Sequence, residues 1–147
     1  MSRNRIGYDE DFYAWTMEQA RLLRSGELAA IDAENIAEEI ESMGKSDRRE
    51  IESRLIVLLV HLLKWQFQPE MRSTSWSGTI REQRRKIDRL LAESPSLRPA
   101  VPGMLPQTYA EAREDAAEET GLSEEAFPEV CPLTVEQVLA RGFLPES

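Results

Sequence analysis

The residue types that build most metal and nucleophile sites are scarce in this 147-residue sequence, which contains one histidine, His61, and one cysteine, Cys131. Zinc usually takes three or four His, Cys or carboxylate ligands, and these two residues show no recognisable ligand spacing. The sequence also lacks Glu-x-x-His pairs, a nucleophile elbow and a glycine-rich phosphate loop. We therefore predict no metal and no cofactor, and the lone cysteine favours a cytoplasmic location.

Long apolar runs are missing as well. The longest uninterrupted run, Leu55–Val60, is far shorter than the ~20 residues that span a bilayer. The first seven residues, MSRNRIG, have no apolar signal core. We predict that the protein does not associate with a membrane.

Charge is strongly segregated along the chain, which has a net charge of −9. Residues 1–43 carry 4 basic and 10 acidic groups, and residues 99–147 carry 2 and 10. Residues 44–98 carry 12 basic and 7 acidic groups and are therefore basic. An acidic chain repels nucleic acid at long range, so the basic centre is expected to meet the protein's own acidic ends or an acidic partner.

Apolar residues recur at helical spacing, and no segment shows the alternation typical of a strand. The spacing and capping residues predict helices ending at Gly26 and Gly44, a third helix from Ser46 or Asp47 to Phe67, and a fourth to Glu93. Further helices are expected over 106–120 and from Thr134 to about Gly142. We predict an all-α single domain, 1–147, with a four-helix bundle core over 8–93 and a helical, Pro-punctuated C-terminal extension over 94–147 packed on it.

The third predicted helix is apolar on two opposite faces. At about 100° per residue, one face contains Ile51, Leu55, Leu58, Leu62 and Trp65, and the other contains Ile56, Val60, Leu63 and Phe67. Both faces must be covered, so this helix is expected to lie in the core. The narrow polar strip between the faces includes His61 and Lys64.

Several polar residues interrupt the apolar stripes, and buried polar groups require partners. We expect Glu39 to pair with Arg84 or Lys64 in one network, helped by Gln19, Gln83 and His61. The network is either structural or part of a ligand or catalytic pocket. The candidate pocket residues are Glu39, His61, Lys64, Trp76 and Arg84.

A row of arginines, Arg81, Arg85 and Arg89, follows one face of the fourth predicted helix at i, i+4 spacing. Such a row is typical of a surface that binds the phosphate groups of a nucleic acid. Interspersed Glu82 and Asp88, together with the acidic composition, favour a solvated helix face over nucleic-acid binding.

The strings YDEDFYAW, QARLLRSG, DAENIAEEIESMG, VHLLKWQFQP, SWSGTI, SPSL and FPEVCPLT resemble, in this order, domain-of-unknown-function family 29. The resemblance covers about Tyr8 to Pro145. It implies a small, mostly helical, soluble bacterial protein, and it brings no activity, cofactor or catalytic residue with it.

The sequence favours a non-enzymatic protein-interaction module that has a protein partner or forms a homo-oligomer. One alternative is a small-molecule- or metal-dependent enzyme that uses the candidate pocket. A second alternative is nucleic-acid binding through Arg81, Arg85 and Arg89.

Overall fold

Helices account for all the regular secondary structure in residues 7–146, which are the residues that the computed structural model describes. No strand occurs in this range, so the all-α prediction is confirmed. The five α-helices are α1 (Phe12–Arg24), α2 (Ala33–Phe67), α3 (Thr74–Glu93), α4 (Val101–Thr120) and α5 (Val135–Leu139). Three short 3₁₀ helices lie at Pro69–Met71, Pro95–Ala100 and Glu124–Ala126.

The chain divides into two compact units, an N-terminal unit, Met1–Ser46, and a C-terminal unit, Asp47–Ser147. The described part of the N-terminal unit contains α1 and the first part of α2, and the rest of the helices belong to the C-terminal unit. A single domain with a four-helix bundle core stays a prediction.

The predicted helix end at Gly44 is wrong, because α2 continues from Ala33 through Gly44 to Phe67. Gly26 and Gly121 have positive φ angles of 78°, but Gly44 does not adopt this left-handed conformation. A glycine within a helix costs only about 1 kcal/mol relative to alanine. Without a proline after it, Gly44 is therefore not enough to end the helix.

The N-terminal unit is built on three buried residues of α1, namely Trp15, Gln19 and Leu22. The Trp15 Nε1–H donates to Asp32 Oδ2 at 3.1 Å, and the backbone N–H of Asp32 donates to Gln19 Oε1 at 2.7 Å. Asp32 immediately precedes α2. These hydrogen bonds satisfy the buried Gln19 and connect α1 to the start of α2.

Tyr8 adds a second connection within this unit. Its ring packs edge-on against Phe12, with centroids 5.7 Å apart. Its hydroxyl donates to a carboxylate oxygen of Glu39 on α2. That hydrogen bond to the carboxylate, together with partial burial and the nearby acidic charge, raises the pKa of Tyr8 from 10.0 to about 12.

The C-terminal unit has its core along the second half of α2. Both predicted apolar faces pack into the core, although Ile56, Trp65 and Phe67 are only partly buried, and this confirms the central expectation for this segment. The residues at 3% exposure or less include Ile51, Leu55, Leu58, Val60, Leu62 and Leu63. They form one cluster with side chains of α3, α4 and the segment after α4, including Ile87, Met104, Ala112, Phe127 and Val138.

α4 starts at Val101, five residues before its predicted start at Pro106. Pro102 lies in the first turn, where its missing N–H has no helical partner to lose. Pro106 lies inside the helix and removes only one hydrogen bond. The predicted cap of α4 at Gly121, with its left-handed backbone, and the predicted capping box of Thr134 with Gln137 at α5 are confirmed. The predicted end of the last helix near Gly142 is wrong, because α5 ends at Leu139.

We expect Glu39→Gln to lower the pKa of Tyr8 from about 12 towards 10.0, because the hydrogen bond to the carboxylate is the main cause of the shift. Since the folded-state pKa is raised, this hydrogen bond stabilises the protein fully below pH 10 and less as the pH rises to about 12. Residue-resolved carbon NMR of the tyrosine rings during a pH titration measures the shift. Glu41→Gln on the exposed part of α2 is the control, and an unchanged Tyr8 pKa in Glu39→Gln would contradict the assignment.

Candidate functional site

Exposed apolar side chains are concentrated in the N-terminal unit. Residues 7–46 are 40 of the 140 described residues, but they hold seven of the eleven exposed large apolar side chains in the described chain. The seven are Phe12, Tyr13, Met17, Leu23, Leu28, Ile40 and Met43. Single exposed apolar residues are ordinary, whereas contiguous exposed apolar patches are typical of interaction sites.

On α1, the exposed pair Tyr13 and Met17 is spaced i, i+4 and lies on the side of the helix opposite the buried Trp15 and Leu22. Tyr13 is 73% exposed and Met17 is 55% exposed. The inner face of α1 is therefore satisfied within its own unit, and the outer face presents apolar surface to water.

On α2, Ile36, Ile40 and Met43 share one stripe at helical spacing. The spacing of these residues predicts a buried face, but Ile40 is 62% exposed and Met43 is 67% exposed. Every residue from Ile40 to Glu50 is exposed. The exposed stripe therefore belongs to the part of α2 that ends at Glu50, before the buried second half of the helix.

The N-terminal unit is also strongly acidic. Its described residues carry ten carboxylates and three cations, a net charge of −7. Two of the carboxylates, Glu18 and Glu27, lie near Arg21, with N–O distances of 2.9 and 3.5 Å. The surface of this unit therefore combines apolar side chains with excess negative charge.

Among the five predicted pocket residues, the structure brings Lys64 and Trp76 together. The Lys64 ammonium lies over the Trp76 ring, 5.5 Å from its centroid. The same ammonium donates to a carboxylate oxygen of Glu119 on α4. Lys64 is 9% exposed, so it forms an ion pair at the edge of the core, and here the basic centre does meet the acidic C-terminal part.

Other residues of the predicted polar network have different neighbours. His61 is partly exposed, and its Nδ1 lies 2.9 Å from the carbonyl oxygen of Val57 one turn earlier. Glu39 accepts the hydrogen bond from Tyr8 within the N-terminal unit. Gln83 accepts a hydrogen bond from Arg54 at 3.2 Å. These polar groups are satisfied by separate partners, and a ligand site that combines all five residues stays a prediction.

Arg84 has a role that sequence reasoning missed. It is 3% exposed, and its guanidinium donates to three backbone carbonyl oxygens: Val138 at 2.8 Å, Phe143 at 2.7 Å and Gln137 at 3.1 Å. Burial lowers the pKa of Arg84, and the charge of Asp88 opposes this effect. The side chain therefore fixes the C-terminal segment on α3. The sequence carries no signal for this pairing, because its acceptors are backbone atoms 53 to 59 positions away.

Cys131 packs against the core, and its Sγ lies 3.4 Å from the carbonyl oxygen of Leu133. Burial raises the pKa of its thiol, which disfavours the reactive thiolate. Among residues 7–146, no three His, Cys, Asp or Glu side chains are grouped so that they could hold a metal ion. None of the helices in that range has the length and apolar character needed to cross a membrane.

These features define an all-α protein in which an acidic unit with exposed apolar side chains precedes a larger helical unit. The chain belongs to the family described as Domain of unknown function DUF29, whose profile matches residues 7–144. Comparisons with curated proteins and with solved structures found no match. The family membership confirms the resemblance and covers both units.

We expect Arg84→Met to lower the free energy of unfolding by about 3 kcal/mol or more, because three carbonyl oxygens lose their donor in a buried place. Urea unfolding measures the change. Arg85→Met, on the exposed side of the same helix, is the matched control and should cost no more than about 0.5 kcal/mol. Equal stability of the two variants would contradict the anchoring role of Arg84.

Proposed function

We propose that this protein is a non-enzymatic protein-interaction module whose N-terminal unit binds a basic amphipathic helix of a partner protein. The observation that carries the proposal is the exposure of Tyr13 and Met17 on α1 and of Ile40 and Met43 on α2. Both pairs have the spacing that a helical partner meets along its length. The proposed setting is the cytoplasm of a bacterium, which the single cysteine supports.

Apolar burial supplies the driving force in this proposal. Removing apolar surface from water contributes about 25 cal/mol per Å². Side chains such as Ile40 and Met43, which are more than 60% exposed, therefore have much of that free energy still to gain. A partner that covers them would stabilise the complex without any change in the core of the C-terminal unit.

The negative charge of the N-terminal unit determines which type of partner can bind it. A second copy that docked through the same surface would bring a net charge of −7 against −7, and like charges across an interface oppose association. Nucleic acid and anionic lipid are repelled for the same reason. A helix with an apolar stripe between lysines or arginines complements both the apolar side chains and the carboxylates.

A fluorescently labelled peptide of about 18 residues (five helical turns), with leucine at i, i+3, i+4 and i+7 spacing and lysine elsewhere, tests the proposal. We expect fluorescence anisotropy to detect binding to the full chain. The double variant Ile40→Ser/Met43→Ser should weaken binding at least about tenfold, since each buried side chain contributes about 1.5 kcal/mol or more.

Two controls make this test specific. Val130→Ser removes an even more exposed apolar side chain from the C-terminal unit and should leave the affinity unchanged. A peptide with glutamate in place of lysine should not bind. Equal binding by wild type and the double variant would contradict the proposal. Self-association in sedimentation velocity that the double variant abolishes would also contradict it, because the occupant would then be a second copy.

A further inference from the structure

We infer that a pocket of about 320 Å³ in the C-terminal unit is a binding site for a small organic anion with an apolar body. The pocket lies between α3 and the C-terminal segment, and we call it the arginine pocket. Its apolar lining includes Ile80 and Leu144, and four arginines surround it: Arg81, Arg84, Arg85 and Arg141.

The first argument is the buried charge of Arg84. Its three hydrogen bonds go to neutral carbonyl oxygens. The charge of Asp88 acts on it, but among residues 7–146 no carboxylate forms a direct ion pair with it. A buried charge is normally compensated by an opposite charge. An anion in the adjoining pocket would supply that compensation while Arg84 keeps its structural hydrogen bonds.

The second argument is that the other three arginines are available to a ligand. Arg81 is exposed, and its side chain forms no hydrogen bond or ion pair with another described residue. Arg85 lies 3.6 Å from Glu82 and Arg141 lies 3.7 Å from Asp88, and both arginines are largely exposed. Exposed ion pairs of this kind contribute little stability, so a ligand can replace them at small cost.

Size and chemistry define the ligand class. Small-molecule sites occupy about 300–1,000 Å³, and this pocket falls at the lower end of that range. Guanidinium groups bind carboxylate, sulfonate or phosphate oxygens through paired N–H donors. The apolar lining suits a body of one or two rings or a short hydrocarbon chain, with its anionic group at the arginines.

The set of arginines that line the pocket distinguishes a small anion from a nucleic acid as the ligand. Arg81 and Arg85 line the pocket, but Arg89, one turn further along the same face of α3, does not. A nucleic acid lying along the arginine row would contact all three side chains. Of these three side chains, a small anion in the pocket would depend on Arg81 and Arg85 but not on Arg89.

Anilinonaphthalene sulfonate is a suitable probe, because it joins two apolar ring systems to one anionic group and fluoresces strongly when it leaves water. We expect saturable binding to the full chain and at least about tenfold weaker binding to the double variant Arg81→Ala/Arg85→Ala. The matched control Arg89→Ala should change the affinity by less than about twofold. Uncharged phenylnaphthylamine should bind at least about tenfold more weakly than the sulfonate.

Several outcomes would overturn the inference. Unchanged binding in Arg81→Ala/Arg85→Ala, with the helical circular dichroism retained, would show that the arginines do not hold the anion. Equal binding of the uncharged probe would show that the charge is not recognised. Loss of binding in Ile40→Ser/Met43→Ser would assign the probe to the N-terminal unit, and equal losses in Arg89→Ala and the double variant would indicate a general anion surface.

Discussion

The second half of α2 is apolar on two opposite faces, and the C-terminal unit depends on covering both. Ile51, Leu55, Leu58 and Leu62 are fully buried, and they join a cluster with residues of α3, α4 and the segment beyond α4. A helix with one apolar face could be satisfied by a single neighbouring layer. Two faces require helices on both sides, and this explains why the proline-rich C-terminal part folds onto the same core.

Arg84 and Lys64 are polar exceptions in that core, and each is matched to a different kind of partner. Lys64 has a carboxylate, Glu119, and an aromatic ring, Trp76. Arg84 donates hydrogen bonds to backbone carbonyls alone, and the charge of Asp88 acts on it without a direct ion pair. The first arrangement pairs the positive charge with a carboxylate in contact, whereas the second leaves the charge of Arg84 without a paired carboxylate beside the arginine pocket. This difference makes Arg84 and its pocket the more informative site for ligand binding.

Local sequence signals predicted most of the fold. The two apolar faces of α2, the glycine cap at Gly121 and the capping box at Thr134 depend on residues within a few positions of one another. Gly44 misled the prediction, because a single glycine weakens a helix without having to end it. The exposure of Ile40 and Met43 could not be predicted, because apolar spacing identifies a helix face but does not show whether another segment packs against it.

The candidate site was less predictable than the fold, because its residues meet partners far along the chain. Glu39 is bonded to Tyr8, 31 positions away, and Lys64 to Glu119, 55 positions away. Sequence patterns correctly marked these side chains as polar groups in need of partners. Sequence patterns could not predict which residue pairs with each of these side chains, because the helix spacing allows several charged residues of either sign.

Native-state hydrogen exchange along α2 tests the central claim most directly, because one continuous helix here has two different environments. Amides from Leu58 to Leu63 should exchange only through global unfolding, since all the side chains of this stretch except that of His61 are buried. Amides from Ile40 to Glu50, where every residue is exposed, should exchange through local opening at clearly lower free energy. Uniform protection along the helix, or weaker protection between Leu58 and Leu63, would contradict the account.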